Sequence, residues 1–325
     1  MILVTGANGN LGSATLAALR ARGVVATGGS RTPGEGMRRL DFDDHVRLDL
    51  AGVSTLVLIS AGYAEDDQVV GRHAAVLDAA VRDGVHHVVY TSLTGAGDHL
   101  GFALAHRATE RLVRASGLPW TTLRNGLYAE LFGALLMWAD EGVESAFGDG
   151  ALAAVARGDL AEAAAIVAAN PARHNGRIYD LVGTPITAGQ VADRLGVPHR
   201  TISLGEYRRR LLDETPGMLP FQPPMLASIA TGIRHGFLDG TAPRPREPPR
   251  PPRPRSPGHG RRSRIHHETV SERSATDTTL GGCGEPWRAC PSEELPSAGS
   301  NQWIRPGSAR IVGRRTDAMK GWGIP

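Results

Sequence analysis

Near its start the chain reads Ile2-Leu3-Val4-Thr5-Gly6-Ala7-Asn8-Gly9-Asn10-Leu11-Gly12, an apolar run entering a turn with glycine at every third position. The order is strand, glycine turn, helix start. Gly6 turns tightly off the strand, Gly9 lets backbone N–H groups approach a pyrophosphate, and Gly12 lets the next helix lie against the sheet. Glycine is 41 of 325 residues, so the spacing alone says little; the strand before it and the helix after it carry the inference. The loop predicts a dinucleotide site with Gly6, Ala7, Asn8, Gly9, Asn10, Leu11 and Gly12 around the phosphates.

Beyond the loop, short apolar runs alternate with Ala/Leu/Arg-rich amphipathic stretches. Ile2–Thr5, Val24–Gly29, Thr55–Ser60, His87–Ser92 and Trp120–Arg124 read as strands, and Gly9–Arg22, Asp67–Asp83 and Gly101–Ser116 as helices. Strands apolar on both faces, each followed by a helix, specify a doubly wound parallel sheet of the Rossmann type. After Asn125 the pattern is mixed: helices at Tyr128–Asp140 and Asp159–Ala169, a strand at Arg177–Val182, then helices at Thr187–Leu195 and Leu204–Asp213. The expected fold class is therefore α/β: residues 1–125 a dinucleotide-binding domain, 126–240 a smaller mixed α/β lobe that supplies the substrate pocket, and 241–325 a disordered tail.

The second strand tests which dinucleotide is held. Val24-Val25-Ala26-Thr27-Gly28-Gly29 runs into Ser30-Arg31-Thr32, with no carboxylate to accept from a ribose 2′-hydroxyl. A guanidinium at Arg31 can instead pair a 2′-phosphate bidentately, with Ser30 or Thr32 adding a hydroxyl. NADP(H) is the expected cofactor and NAD(H) the less favoured one. The stretch from Arg31 to Asp41, with Gly34 and Gly36, is too short and glycine-rich for the usual second helix. At the carboxyl end of the Thr55–Ser60 strand, where such sheets take their ligands, stand Ser60 and Ala61.

Net charge excludes little until it is divided. Residues 1–240 carry 21 Lys and Arg against 25 Asp and Glu, whereas 241–325 carry 15 against 8. The basicity belongs to the tail, which begins with a Pro/Arg run at Pro243–Arg255 and lacks apolar periodicity, so the folded part is not expected to meet nucleic acid. Both cysteines, Cys283 and Cys290, are also in the tail; the rest has no disulfide framework, thiolate nucleophile or cysteine-based zinc site. No His/Asp/Glu set has metal-ligand spacing. The N-terminus enters a strand without a basic, apolar leader, and no apolar run is long enough for a membrane span, so the expected location is cytoplasmic.

One common catalytic device is missing. Short-chain dehydrogenases acidify a tyrosine with a lysine one helical turn later, but the only lysine is Lys320. On the corresponding helix stand His106 and Glu110, four residues apart. They admit two readings: His106 protonates a developing alkoxide or phenolate while Glu110 orients the ring, or the two are a polar pair on the helix surface. Asp66-Asp67 reads as a helix cap.

At these residues the chain resembles the NmrA-like, atypical short-chain dehydrogenase/reductase family, in particular type 2 NAD(P)H:quinone oxidoreductases. The resemblance covers about residues 1–240 and rests on the Gly6–Gly12 loop, Leu58-Ile59-Ser60, Tyr90-Thr91-Ser92-Leu93, His106-x-x-Thr109-Glu110 and Leu123-Arg124-Asn125-Gly126-Leu127-Tyr128-Ala129-Glu130. Gly148-Asp149-Gly150 and Arg157-x-Asp159 continue it. It implies a nicotinamide held between two lobes and a quinone or similar flat acceptor against it, with Thr91, Asn125 and Tyr128 facing the pair and Asn125 and Tyr128 donating to the oxygen that gains charge. A homodimer is compatible with it. Two other functions fit the missing Tyr/Lys pair: a redox sensor that binds NADP(H) without turnover, and a reductase or epimerase of another small carbonyl compound that depends on His106.

Overall fold

The structure, a computed structural model, describes residues 1–60, 64–139, 142–214 and 218–240. The expected tail at 241–325, with both cysteines, and the candidate site residue Ala61 lie outside them.

Strands and helices alternate through the first half: β1 (Ile2–Val4), α1 (Asn10–Ala21), β2 (Ala26–Ser30), β3 (Arg38–Arg39), β4 (Thr55–Ile59), α2 (Asp66–Arg82), β5 (His87–Leu93), α3 (Ala103–Ala115) and β6 (Trp120–Asn125). The second half brings α4 (Ala129–Leu135), β7 (Met137–Ala139), β8 (Gly142–Ser145), β9 (Ala151–Leu152), α5 (Arg157–Ala169), β10 (Arg177–Leu181), β11 (Ile186–Thr187), α6 (Ala188–Leu195), β12 (His199–Thr201), α7 (Leu204–Glu214) and α8 (Gln222–Arg234). Seven strands form one parallel sheet in the order β10-β6-β5-β4-β1-β2-β3. The chain starts in the interior and winds outward both ways, so the switch point lies between β1 and β4.

Period-two alternation divides the apolar residues between the two faces. Ile2, Val4, Val57, Val89 and Leu123 pack with Leu19 of α1 and Ala164, Ala165 and Ala168 of α5. Leu3, Leu56, Leu58, Val88 and Tyr90 pack with Val76, Leu77 and Ala80 of α2 and Val113 of α3. A third cluster joins α4, α6, α7 and α8 around Phe132, Phe147, Leu226, Ile229 and Ile233. Its smaller sheets are β12-β8-β7 and β11-β9.

Three features depart from the sequence reading. The helix expected over Tyr128–Asp140 ends at Leu135, because Met137–Ala139 pairs antiparallel with β8; cross-strand pairing overrides local helical pattern, and Asp140 falls outside the described residues. The division expected at residue 125 does not follow the sheet, since α5 covers α1 and β10 pairs along β6 from Arg177↔Thr121 to Leu181↔Asn125. Helix α8 was not expected. Pro223 and Pro224 stand in its first turn, where the missing N–H is unbonded anyway. Between β2 and β3, residues 31–37 form no helix, as the glycines predicted.

Candidate functional site

The glycine loop leaves β1 with Gly6 at φ +59, and Gly9 N donates to the Gly6 carbonyl at 2.8 Å. A Cβ at Gly12 would stand 2.2 Å from that carbonyl oxygen, so α1 lies directly against the turn. Gly9 caps α1 with no side-chain acceptor, which leaves the first-turn N–H groups turned to an anion. Asn8 ties the loop to the end of β2, donating from Nδ2 to Ser30 Oγ at 2.9 Å and the Thr32 carbonyl at 2.7 Å. Arg31 stands exposed between these two anchors, and its carbonyl accepts from Arg39 Nη1 at 3.3 Å. A cradle closed to side chains, an uncapped helix start and an exposed guanidinium after β2 fit a phosphorylated dinucleotide.

Across the switch point, Ile59 N donates to Thr5 Oγ1 at 2.9 Å, and Ser60 N to Thr91 Oγ1 at 3.2 Å. The carboxyl ends of β4, β5 and β6 thereby form the floor of a cavity of about 650 Å³. Ser60, Thr91, His106, Asn125 and Tyr128 all line it, so the structure brings together five of the candidates picked from sequence. Gly6–Gly12 and Arg31 lie beyond its lining, toward β2. Its far wall is apolar: Phe102, Leu127, Phe221, Met225 and Ile229. Phe221 and the α8 residues were not linked to the site in the sequence reading, since about 95 residues separate them from Asn125 and no spacing motif joins them to it.

Asn125 is buried, and its Oδ1 is a buried atom without a hydrogen-bond partner. Burial pushes the Tyr128 phenol up from its ordinary range, so it stays protonated, and the Arg157 guanidinium lies 5.1 Å from its ring centre.

The structure contradicts the surface-pair reading of His106 and Glu110, and in the other reading it contradicts the part given to Glu110. His106 is half-buried and Glu110 fully so, which excludes a surface pair, and Glu110 does not hold the imidazole. It accepts instead from Arg124 Nη2 at 2.8 Å, Ser92 Oγ at 2.7 Å, Arg107 Nη1 at 2.7 Å and Arg114 Nη2 at 2.8 Å. Burial alone would raise the Glu110 carboxyl; the hydrogen bonds from Arg124 and Ser92 and the neighbouring guanidinium charges outweigh it and hold it below the ordinary carboxylate range. Two stretches read separately in the sequence, His106-x-x-Thr109-Glu110 and Leu123-Arg124-Asn125, are thus two halves of one ion pair that locks α3 to β6 and fixes Asn125 beside it. The partner of His106 is Tyr90, whose hydroxyl lies 3.0 Å from Nδ1. Burial lowers the imidazole to about 4, so the ring is neutral at neutral pH.

No protein-family model matches the chain. It is 36% identical over 263 residues to quinone oxidoreductase 2 of Escherichia coli, spanning 73% of this chain and 90% of that one. It is 31% identical over 209 residues to an NmrA-like family domain-containing oxidoreductase of Aspergillus flavus, spanning 58% of this chain and 68% of that one. Among solved structures, the triphenylmethane reductase of Citrobacter sp. complexed with NADP(H) superposes with a TM-score of 0.66 at 29% identity, covering 74% of this chain and 92% of that one. The NADPH-dependent quinone oxidoreductase of Escherichia coli complexed with NADPH superposes with a TM-score of 0.63 at 31% identity, covering 73% and 90%. With its glycine loop, its Glu110–Arg124 lock and its cavity at the switch point, the chain belongs to the NmrA-like, atypical short-chain dehydrogenase/reductase family that includes quinone oxidoreductase 2.

Proposed function

We propose that this protein is an NADPH-dependent oxidoreductase that reduces a flat, uncharged, quinone-like acceptor. The observation that carries the reading is the cavity: it opens at the strand ends beside the glycine loop, with an apolar aromatic wall on one side and Asn125, Thr91 and Tyr128 on the other. A bound nicotinamide dinucleotide supplies a hydride. The backbone of Gly6–Gly12 and the start of α1 hold its phosphates, and Arg31, with Ser30 and Thr32, selects the 2′-phosphate. Phe102, Phe221 and Met225 exclude water and stack the acceptor, while Asn125 and Tyr128 hydrogen-bond the oxygen on which negative charge grows. Among the described residues lining the cavity the charged ones are Glu65 and Asp66, so an anionic acceptor finds no cation there. The relatives whose names specify quinone or dye reduction support this reading, as does the 2′-phosphate chemistry open to Arg31.

The test follows absorbance at 340 nm with NADPH or NADH and a panel of neutral and sulfonated naphthoquinones. The expected result is oxidation of NADPH that depends on the neutral quinones. Arg31→Ala should weaken NADPH binding roughly tenfold or more, on the scale of one or two lost charge-assisted hydrogen bonds, and leave NADH binding unchanged. Tight NADPH binding with no oxidation by any acceptor would favour a sensor instead.

A further inference from the structure

Behind the cavity lies a buried polar group to which the roles above give no task. Tyr90, in the middle of β5, is fully buried, and its hydroxyl is 3.0 Å from Nδ1 of His106. Edge-on to its ring, 5.7 Å between centres, is His73 of α2. Nδ1 of His73 lies 2.8 Å from Thr109 Oγ1, whose hydroxyl donates to the Ala105 carbonyl at 2.8 Å. The other imidazole nitrogen of His106, Nε2, is bonded by none of the described residues, and His106 lines the cavity.

We propose that Tyr90 is a positioning residue: its hydroxyl donates to Nδ1 of His106 and so fixes the Nε2–H tautomer, turning the imidazole into a permanent hydrogen-bond donor for the acceptor oxygen. The acceptor in this statement rests on the oxidoreductase reading; the tautomer does not. A phenol has one proton to give, and a neutral imidazole offers one nitrogen that can only accept. Burial raises the Tyr90 phenol and outweighs the neighbouring Thr109 and Ser60 hydroxyls, which act to lower it, so Tyr90 keeps its proton and has it to donate. The charged groups acting on His106 are Arg107, which opposes its protonation, and Glu110, which favours it; burial outweighs both. Glu65 and Asp66 line the same cavity from the start of α2, and α8 presents Phe221, Pro224, Met225, Ser228 and Ile229 to it, all uncharged.

The ring therefore donates a hydrogen bond and transfers no proton. Giving up the Nε2 proton would create an imidazolate, or a buried tyrosinate if the proton of Tyr90 followed. When a quinone takes a hydride, two electrons and one proton arrive together, and the product is a hydroquinone monoanion. Nε2–H holds that anion, and water supplies the second proton.

The experiment uses the full chain labelled with [15N]histidine and two-bond 1H–15N spectra at neutral pH. Wild type should show a ring with a protonated Nε2 and an unprotonated Nδ1, assigned by its disappearance in His106→Gln; Tyr90→Phe should shift both signals toward a tautomer mixture. An imidazolium or an Nδ1–H ring in wild type overturns the proposal. With NADPH and a neutral naphthoquinone, kcat should be level between about pH 6 and about pH 9. Tyr90→Phe should lower kcat/KM about tenfold, one hydrogen bond's worth, and His106→Gln, whose amide still donates, should retain more activity than His106→Leu. A wild-type inflection near neutrality that His106→Gln removes would make the ring a general acid and the proposal wrong. If Tyr90→Phe does not fold, the wild-type tautomer and the Gln/Leu comparison still decide; if no quinone is reduced, the oxidoreductase reading fails while the spectra still judge the tautomer.

Discussion

Single side chains control this molecule by the space and the protons they leave. Gly12→Ala puts a methyl 2.2 Å from the Gly6 carbonyl oxygen, and because the obstacle is backbone, the turn and α1 must separate. The expected cost is about 1–3 kcal/mol together with loss of NADPH binding, read from thermal unfolding and cofactor fluorescence. A second prediction concerns acid. Burial lowers His73 to about 3, with the charges on His106 and Arg72 adding to it, and lowers His87 to about 4, with His174 adding; His106 is near 4 as well. All three lie below the ordinary value of 6.5, so the unfolded chain takes up protons first as pH falls. Stability is full above about pH 6.5 and declines toward pH 4, by about 1.4 kcal/mol per pH unit for each fully buried ring. Denaturant midpoints measured across that range should fall steeply, and His73→Gln should flatten the slope. The glycines were legible in the sequence because their demand is local and steric. The pairing of His106 with Tyr90 was not: strand alternation marks Tyr90 as core and says nothing of where its hydroxyl goes.

At the level of elements, strands and helices buried on one defined face were legible, and those shaped by distant partners were not. Strands β1, β4 and β5 are buried along nearly their whole length and could be read directly. The end of α4 was lost because β8 claims Met137–Ala139; α8, outside every helix read from the sequence, carries two prolines in its first turn. Its apolar residues Leu226, Ile229, Ala230 and Ile233 do recur at helical spacing and are all buried, a signal that outweighs prolines confined to a first turn. This helix should decide the acceptor. Met225→Ala removes part of the apolar wall without touching the glycine loop, so KM for a naphthoquinone should rise several-fold, the scale of one partly lost apolar contact, while the NADPH dissociation constant stays put. A parallel rise in both would show that α8 shapes the whole cleft.

On the scale of the whole molecule, the boundary drawn at residue 125 divides one structural layer. Residues 1–125 contain the glycine loop, β4 and most of the cavity floor, yet β6 lacks a neighbour on one side until β10 arrives, and α1 lacks its cover until α5 does. A fragment ending at Asn125 exposes the apolar surface of Leu19, Val89 and Leu123 that α5 covers in the full chain. It should be aggregation-prone, show no cooperative unfolding and bind NADPH far more weakly than the full chain; a fragment that melts sharply and binds normally would make residues 1–125 an autonomous domain. The same interleaving sets a schedule during synthesis. The ribosome finishes the nucleotide loop first, but Leu181, the strand residue that closes the sheet beside Asn125, is added some 56 residues after it, counting from the strand register. At a few to some twenty residues per second, the nascent sheet waits several seconds with its edge open, and a pause between codons 126 and 177 is where the growing chain would be most exposed to a chaperone or a protease.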